Sequence, residues 1–329
     1  PWTTNSAAPD TAHGAITFTD ADLTDTHTVT ITGVTEAGVT TGLADHATVL
    51  SWLSLGALTD STDGVMGSRA WTFSATDKSF DYLAAGETLT LVYTIQIDDQ
   101  HGGVVTVPVT ITIVGTDDKP VITSPTQAAT ITEVPETTGS VSHDTASGTV
   151  TFTDVDLSDT HTVSITRVTE QGTTTGLPES EPTILNWLSL GALTDSTGHV
   201  TGSQAWTFSA ADKSFDYLAA GETLTLTYTI QLDDHHGGIV NTPVTITIHG
   251  ANDAPTLADV NAGTLTDTAA YDTFSPLTGT LHGHDVDDGE TATLTYAALN
   301  SDHAAVTQIT GLYGLLTVNP NGTYSYVPD

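Results

Sequence analysis

The sequence predicts an all-β chain of tandem β-sandwich modules, the last of them incomplete. Three observations carry this reading. Apolar and polar residues alternate with a period of two over long stretches rich in Thr and β-branched residues. Two long segments are near-copies of each other. No stretch shows the 3.6-residue periodicity of a substantial helix.

The strands come first. Leu89, Leu91, Tyr93, Ile95 and Ile97 alternate with Thr90, Val92, Thr94 and Gln96, which puts one face of 88–97 in a core. Val105, Val107, Val109, Ile111 and Ile113 do the same over 104–114. Between them, Asp98-Asp99-Gln100-His101-Gly102-Gly103 is a turn-forming cluster. Leu224 to Leu232 and Val244 to Ile248 are the matching strands of the second copy. Units of a hundred or more residues built from short strands favour an Ig-like sandwich.

The repeat sets the organisation. Thr17-Phe18-Thr19-Asp20-Ala21-Asp22-Leu23 returns 134 residues later as Thr151-Phe152-Thr153-Asp154-Val155-Asp156-Leu157. The run Trp52 to Ser61 returns as Trp187 to Ser196, and Lys78 to Glu87 as Lys213 to Glu222. Each copy closes on a short acidic junction, Gly115-Thr116-Asp117-Asp118-Lys119-Pro120 and Gly250-Ala251-Asn252-Asp253-Ala254-Pro255, too short for a floppy linker. The expected units are 1–118, 119–253 and a divergent 254–329. Aligning Tyr324-Ser325-Tyr326 with Phe80-Asp81-Tyr82 leaves the third unit without counterparts of both long strands, hence with an exposed edge.

Composition narrows the function. The 329 residues hold 5 Lys+Arg against 40 Asp+Glu, a formal net charge of −35. So few bases exclude nucleic acid and anionic membrane surfaces as partners. No apolar stretch is long enough for membrane insertion. The absence of Cys removes disulfides, thiolate metal sites and Cys nucleophiles. Pro1-Trp2-Thr3-Thr4-Asn5 has no leader character and reads as a cut inside a larger polypeptide.

At its motifs the chain resembles a known group. His284-Asp285-Val286-Asp287-Asp288-Gly289-Glu290 and Gly322-Thr323-Tyr324-Ser325-Tyr326 make the third unit similar to a VCBS repeat. The first two units resemble cadherin-like repeats of large bacterial surface adhesins of the RTX type, through Phe80 to Glu87 and the Asn252-Asp253-Ala254-Pro255 junction. The resemblance implies a secreted, cell-surface protein in which such modules form an extender that supports cell adhesion and biofilm formation. It also implies calcium at the junctions, shared between neighbouring repeats of the same chain. The alternative is a ligand-binding module that recognises a surface glycan or another adhesin copy.

By that resemblance, Asp81, Asp117, Asp118, Asp154 and Asp156 converge on the first junction. Asp216, Asn252, Asp253, Asp285 and Asp287 converge on the second, with Glu133 from the first strand of the second unit. Five or six side chains plus carbonyls and water fit the six to eight oxygens calcium takes. Leu83 and Leu218 stand where cadherins place a ligating Glu, and no residue of the first unit matches Glu133. The competing reading makes these aspartates turn residues of a solvated acidic surface.

Other chemistry is thin. Asp285-Val286-Asp287-Asp288-Gly289 starts like an EF-hand loop, but Tyr296 occupies the twelfth position. His282, His284, His235 and His236 read as turn or surface residues before zinc ligands. His27 and His161, in a repeated Asp-Thr-His-Thr-Val, read as strand-start hydrogen-bonders near the aspartates. Nucleophile-elbow, phosphate-loop and zincin motifs are missing, so no enzymatic activity is expected. Trp52, Trp71, Trp187 and Trp206 recur within strands and are expected in the core instead of on a sugar-stacking face.

Overall fold

The computed structural model describes residues 5–64, 66–177, 179–269 and 273–329; Pro1-Trp2-Thr3-Thr4, part of the opening segment discussed above, lies outside them. The first unit contributes strands β1 (Pro9–Phe18), β2 (Thr28–Gly38), β3 (Leu53–Thr59), β4 (Gly67–Thr76), β5 (Thr88–Asp98) and β6 (Val104–Val114). They form two facing sheets, ordered β1-β4-β3 and β2-β5-β6. Period-two alternation turns Leu89, Leu91, Tyr93, Ile95 and Ile97 of β5 inward, where all are buried.

The second unit repeats this layout and adds to it. Its strands are β7 (Val121–Ile122), β8 (Gln127–Thr132), β9 (His143–Thr153), β10 (Thr162–Gly172), β11 (Leu188–Thr194), β12 (Thr201–Ala211), β13 (Thr223–Asp233) and β14 (Ile239–His249). The sheets run β11-β12-β9-β7 and β10-β13-β14-β8. The entering chain therefore serves both. It pairs antiparallel with β9 at Val121–Ile122, passes Pro125, and then lies parallel to β14 from Gln127 to Thr132. A strand that changes sheets closes the side of the sandwich.

Each core is built around the repeated aromatics. Trp187 meets Phe208 and Phe215 edge-on at centroid distances of 6.2 and 5.5 Å, and Trp52 meets Phe73 and Phe80 at 6.2 and 5.4 Å. Trp52, Trp187 and Trp206 are buried and Trp71 is half-buried. No helical periodicity is visible in the residues, yet one-turn helices cross between the sheets: α1 (His46–Ser51), capped by the Asp45 carboxylate on the Thr48 N–H, and α2 (Glu181–Leu185). Five or six residues are too few to show a 3.6-residue period. Their carbonyls at Val49 and Ile184 accept the buried Tyr93 and Tyr228 hydroxyls at 2.7 and 2.8 Å.

One glycine is fixed by close approach. Gly148 of β9 pairs with Trp206 of β12, and a Cβ there would lie 2.5 Å from Trp206 Cζ2. Gly148→Ala is expected to destabilise the second unit by about 1–3 kcal/mol, because the buried indole has no room to yield. Denaturant unfolding followed by tryptophan fluorescence measures the loss.

The third unit has β15 (Thr256–Leu257), β16 (Leu277–Thr280), β17 (Gly283–His284), β18 (Ala298–Leu299), β19 (Ala305–Val306), β20 (Gln308–Gly311), β21 (Gly314–Val318) and β22 (Thr323–Pro328). One four-stranded sheet, β16-β22-β21-β20, stands beside two short ladders. The only hydrophobic residues buried here among those described are Ala298 and Val318. The expected alignment of Tyr324-Ser325-Tyr326 with Phe80-Asp81-Tyr82 is corrected by the register. Tyr324 pairs with Gly279 just as Trp206 pairs with Gly148 and Trp71 with Gly14. The Gly-x-Tyr-x-Tyr stretch is thus the counterpart of β12, one strand earlier than expected; aromatic alternation alone does not distinguish a strand from the turn that follows it.

Candidate metal centres

The Asp-x-Asp segments follow β1, β9 and β17, where the chain leaves a sheet and turns. In each, the first carboxylate accepts the N–H of the second Asp: Asp20 from Asp22 at 2.8 Å, Asp154 from Asp156 at 2.9 Å, Asp285 from Asp287 at 3.1 Å. This local turn aims the second carboxylate away from its own segment. In the second and third units it reaches across the junction.

At the first junction the Asp118 N–H donates to Asp156 Oδ2 at 2.7 Å, and at the second the Asp253 N–H donates to Asp287 Oδ2 at 3.0 Å. Each carboxylate keeps its other oxygen, Asp156 Oδ1 and Asp287 Oδ1, buried without a hydrogen-bond partner. Apolar and backbone contacts support the seams. Leu157 packs on the core of the first unit, and the Asp288 N–H donates to the Tyr217 carbonyl at 2.9 Å.

Ligand-sized groups of acids gather there. Glu133, Asp216 and Asp253, all three buried, bring carboxylate oxygens within 4.8 Å of one another, and so do the buried Asp285 and Asp287 with the half-buried Glu290. Glu133 Oε2 accepts the Ala251 N–H at 3.1 Å and Asp216 Oδ2 accepts the Gly139 N–H at 2.6 Å, while Glu133 Oε1 and Asp216 Oδ1 have no partner. At the first junction Asp117, Asp159 and His236 form a group of the same size. Asp81 and Asp118 face a common groove, and Asp81 Oδ2 accepts the Asn5 N–H at 2.7 Å.

Burial without compensation shows in the protonation of these acids. Desolvation, with Asp253, Asp216 and Asp212 nearby, pushes the Glu133 carboxyl up to about 8. Desolvation does the same for Asp156, to about 8, and for Asp159, to about 6, against the pull of His236. Asp117, Asp216, Asp253 and Asp287 are raised for the same reason. Acids this crowded, with oxygens that no donor reaches, have the chemistry of a site for a hard divalent cation.

Of the residues singled out in the sequence, Asp81, Asp118, Asp154 and Asp156 belong to none of these groups, and neither does Asn252. It is exposed, and its Nδ2 donates to the Asp253 carbonyl at 2.8 Å. Leu83 and Leu218 are core residues. Four site residues were not anticipated: Asp159, Asp234, His236 and Glu290. Asp159 and Glu290 extend the turn to Asp-x-Asp-x-x-acid, a pattern that also recurs at Asp25. Asp234 shapes the turn between β13 and β14: its Oδ1 accepts the His236 and Gly238 N–H groups, both at 2.8 Å. Its Oδ2 is buried without a partner. His236 Nδ1 lies 3.1 Å from Asp159 Oδ2, so this histidine belongs to the junction. His161 sits between Asp154 (3.0 Å) and Asp195 (2.7 Å); burial lowers its pKa, but the two carboxylates outweigh burial and raise it overall.

No protein-family model matches the chain, and no curated protein matches it. Weakly similar solved structures include human CDH23 EC21-23, at 14% identity over 94% of this chain and 80% of that one, TM-score 0.38. Protocadherin gamma B2 extracellular cadherin domains 1-5 is 14% identical over 100% of this chain and 50% of that one, TM-score 0.33. CfaE, the adhesive subunit of the CFA/I fimbria of enterotoxigenic Escherichia coli, is 11% identical over 58% of this chain and 64% of that one, TM-score 0.31. Likenesses this weak say nothing of function.

Proposed function

We propose that the chain is a spacer segment of a large secreted bacterial adhesin, an acidic run of β-sandwich units whose junctions calcium stiffens. The observation that carries this is the pair of cross-junction hydrogen bonds, Asp118 to Asp156 and Asp253 to Asp287, each ending on a carboxylate whose other oxygen is buried and unpartnered. Glu133, Asp216, Asp253, Asp285, Asp287 and Glu290 would hold an ion at the second junction, an oxygen-only set suited to calcium. Asp117, Asp118, Asp154, Asp156, Asp159 and Asp81 would do so at the first, with His236 a less usual neighbour. Bound calcium supplies positive charge that turns carboxylate repulsion into coordination. The chain's own part is mechanical: the Asp-x-Asp turns fix the second carboxylate, and the short Pro-containing junctions limit the hinge.

The tryptophans favour a spacer over a glycan platform, because three of the four repeated indoles are buried and the fourth is half-buried. The test is small-angle scattering of one sample in EDTA and then in millimolar calcium. A longer, stiffer particle in calcium is expected. An unchanged profile overturns the reading.

A further inference from the structure

The two junctions differ in their donors. At the second, the gathered ligands are all carboxylates: Glu133, Asp216 and Asp253, then Asp285, Asp287 and Glu290. At the first, an imidazole joins two carboxylates. Asp117, Asp159 and His236 each bring one ligand atom within 4.8 Å of the others. They come from the junction after β6, the turn between β9 and β10, and the turn between β13 and β14.

The imidazole is held in place by its turn. Asp234 Oδ1 fixes the His236 and Gly238 N–H groups, His235 takes φ 66°, and His236 Nδ1 comes to lie 3.1 Å from Asp159 Oδ2. The first unit repeats the arrangement. Asp99 Oδ1 accepts the His101 and Gly103 N–H groups at 2.7 and 2.8 Å, and His101 Nδ1 lies 3.4 Å from Asp25 Oδ2. A His–Asp pair by itself satisfies Asp159 and His236, but it leaves two acids unexplained. Both oxygens of Asp117 are shut away from solvent without a hydrogen-bond partner. Asp234 is wholly buried, and its Oδ2 has no partner either. These two acids feel each other: burial, and then the Asp234 charge, raise Asp117 above its ordinary value. Carboxylates closed off in this way cost free energy unless a positive charge meets them.

We propose that the first junction holds, beside its calcium, a small transition-series divalent cation of the zinc class, with Asp117, Asp159 and His236 as ligands and Asp234 as the charge behind them. Zinc takes imidazole and carboxylate donors in sets of four, whereas calcium takes six to eight oxygens. Three side chains leave the fourth position to Asp234 Oδ2 or to water. The cation takes the place of the proton between His236 Nδ1 and Asp159, and that proton passes to solvent. The His236 side chain is 42% exposed, which gives the ion a way in. This site goes beyond the calcium reading above. It shares Asp117 and Asp159 with that reading, and a carboxylate has an oxygen for each ion. Its effect is to tie the junction to two turns of the second unit at once.

The test is a zinc titration of the full, metal-free chain by calorimetry, without calcium and in millimolar calcium, with NMR of the imidazole rings as a second readout. A saturable zinc site that persists in calcium is expected, with the His236 ring resonances shifted by zinc and not by calcium. His236→Gln is expected to weaken zinc at least about tenfold while calcium binding stays as it was. His235→Gln, which copies Gln100 of the first unit, is expected to leave zinc binding unchanged. Equal loss in both variants, or in neither, overturns the proposal. Asp117→Asn removes a ligand and a buried charge together, so it is expected to fold and to bind zinc more weakly; unchanged zinc affinity there also overturns the proposal. So does complete displacement of zinc by millimolar calcium, because the group would then be the calcium site alone. Zinc bound as expected in a chain that binds no calcium would uphold this site and overturn the calcium reading.

Discussion

In chelator the protein is expected to melt at a lower temperature at pH 8 than at pH 5, and millimolar calcium is expected to reverse that order. The buried carboxyls dictate the sign. Glu133 and Asp156 have folded-state pKa values raised to about 8 and Asp159 to about 6, above the unfolded values near 4. Across this window the native state binds more protons than the unfolded state. Stability is therefore full below the unfolded pKa and drains away as pH rises through the folded one. His27 and His161, raised overall, act in the same direction. Asp20, Asp60 and Asp195 have lowered values and act oppositely, but their contribution is lost only as pH falls through the acid range, below this window. One pKa unit is about 1.36 kcal/mol; with generous allowance for water entering the site, the loss from pH 5 to 8 is still about 3 kcal/mol. For a unit of this size that is on the order of 10 °C. Calcium at about 100 times its dissociation constant returns about 2.7 kcal/mol per site, and more as the carboxylates ionise. Scanning calorimetry at the two pH values, with and without calcium, is the measurement. A flat or rising trend in EDTA would show that these acids are not uncompensated.

The second large effect is a change of sign on one substitution. Asp156→Asn is expected to raise the melting temperature in EDTA and to weaken calcium binding at the first junction at least tenfold. The amide oxygen still accepts the Asp118 N–H, and the amide N–H₂ replaces the orphaned Oδ1 among neighbouring acids, so a buried charge disappears without breaking the seam. In calcium the same change removes a formal charge and an oxygen ligand. Glu133→Gln should repeat the pattern at the second junction. Calcium titrations by calorimetry beside melts in EDTA read both halves. A variant destabilised in both conditions would make Asp156 an ordinary structural acceptor.

Much of this was legible in the residues. Alternation placed β5, β6, β13 and β14, because a strand with one buried face must write a period of two into its sequence. The repeat exposed the units, and acid pairs at equivalent positions marked the junctions. The third unit was misaligned by one strand, since Tyr324 and Tyr326 alternate in a real strand while Phe80 and Tyr82 only border a turn.

The sequence by itself determined which faces are buried and where the chain turns, because both are written in residues a few places apart. Tertiary structure alone decided which turns meet. Asp117, Asp159 and His236 are neighbours only because the sandwich folds three distant loops to one end, and nothing local in the chain encodes that closure. The same holds for β8: that its six residues follow a strand of one sheet and seal the other emerges only from the folded path of the chain. Side-chain pattern records the face a residue turns to, whereas the partner on that face is chosen by the path of the whole chain.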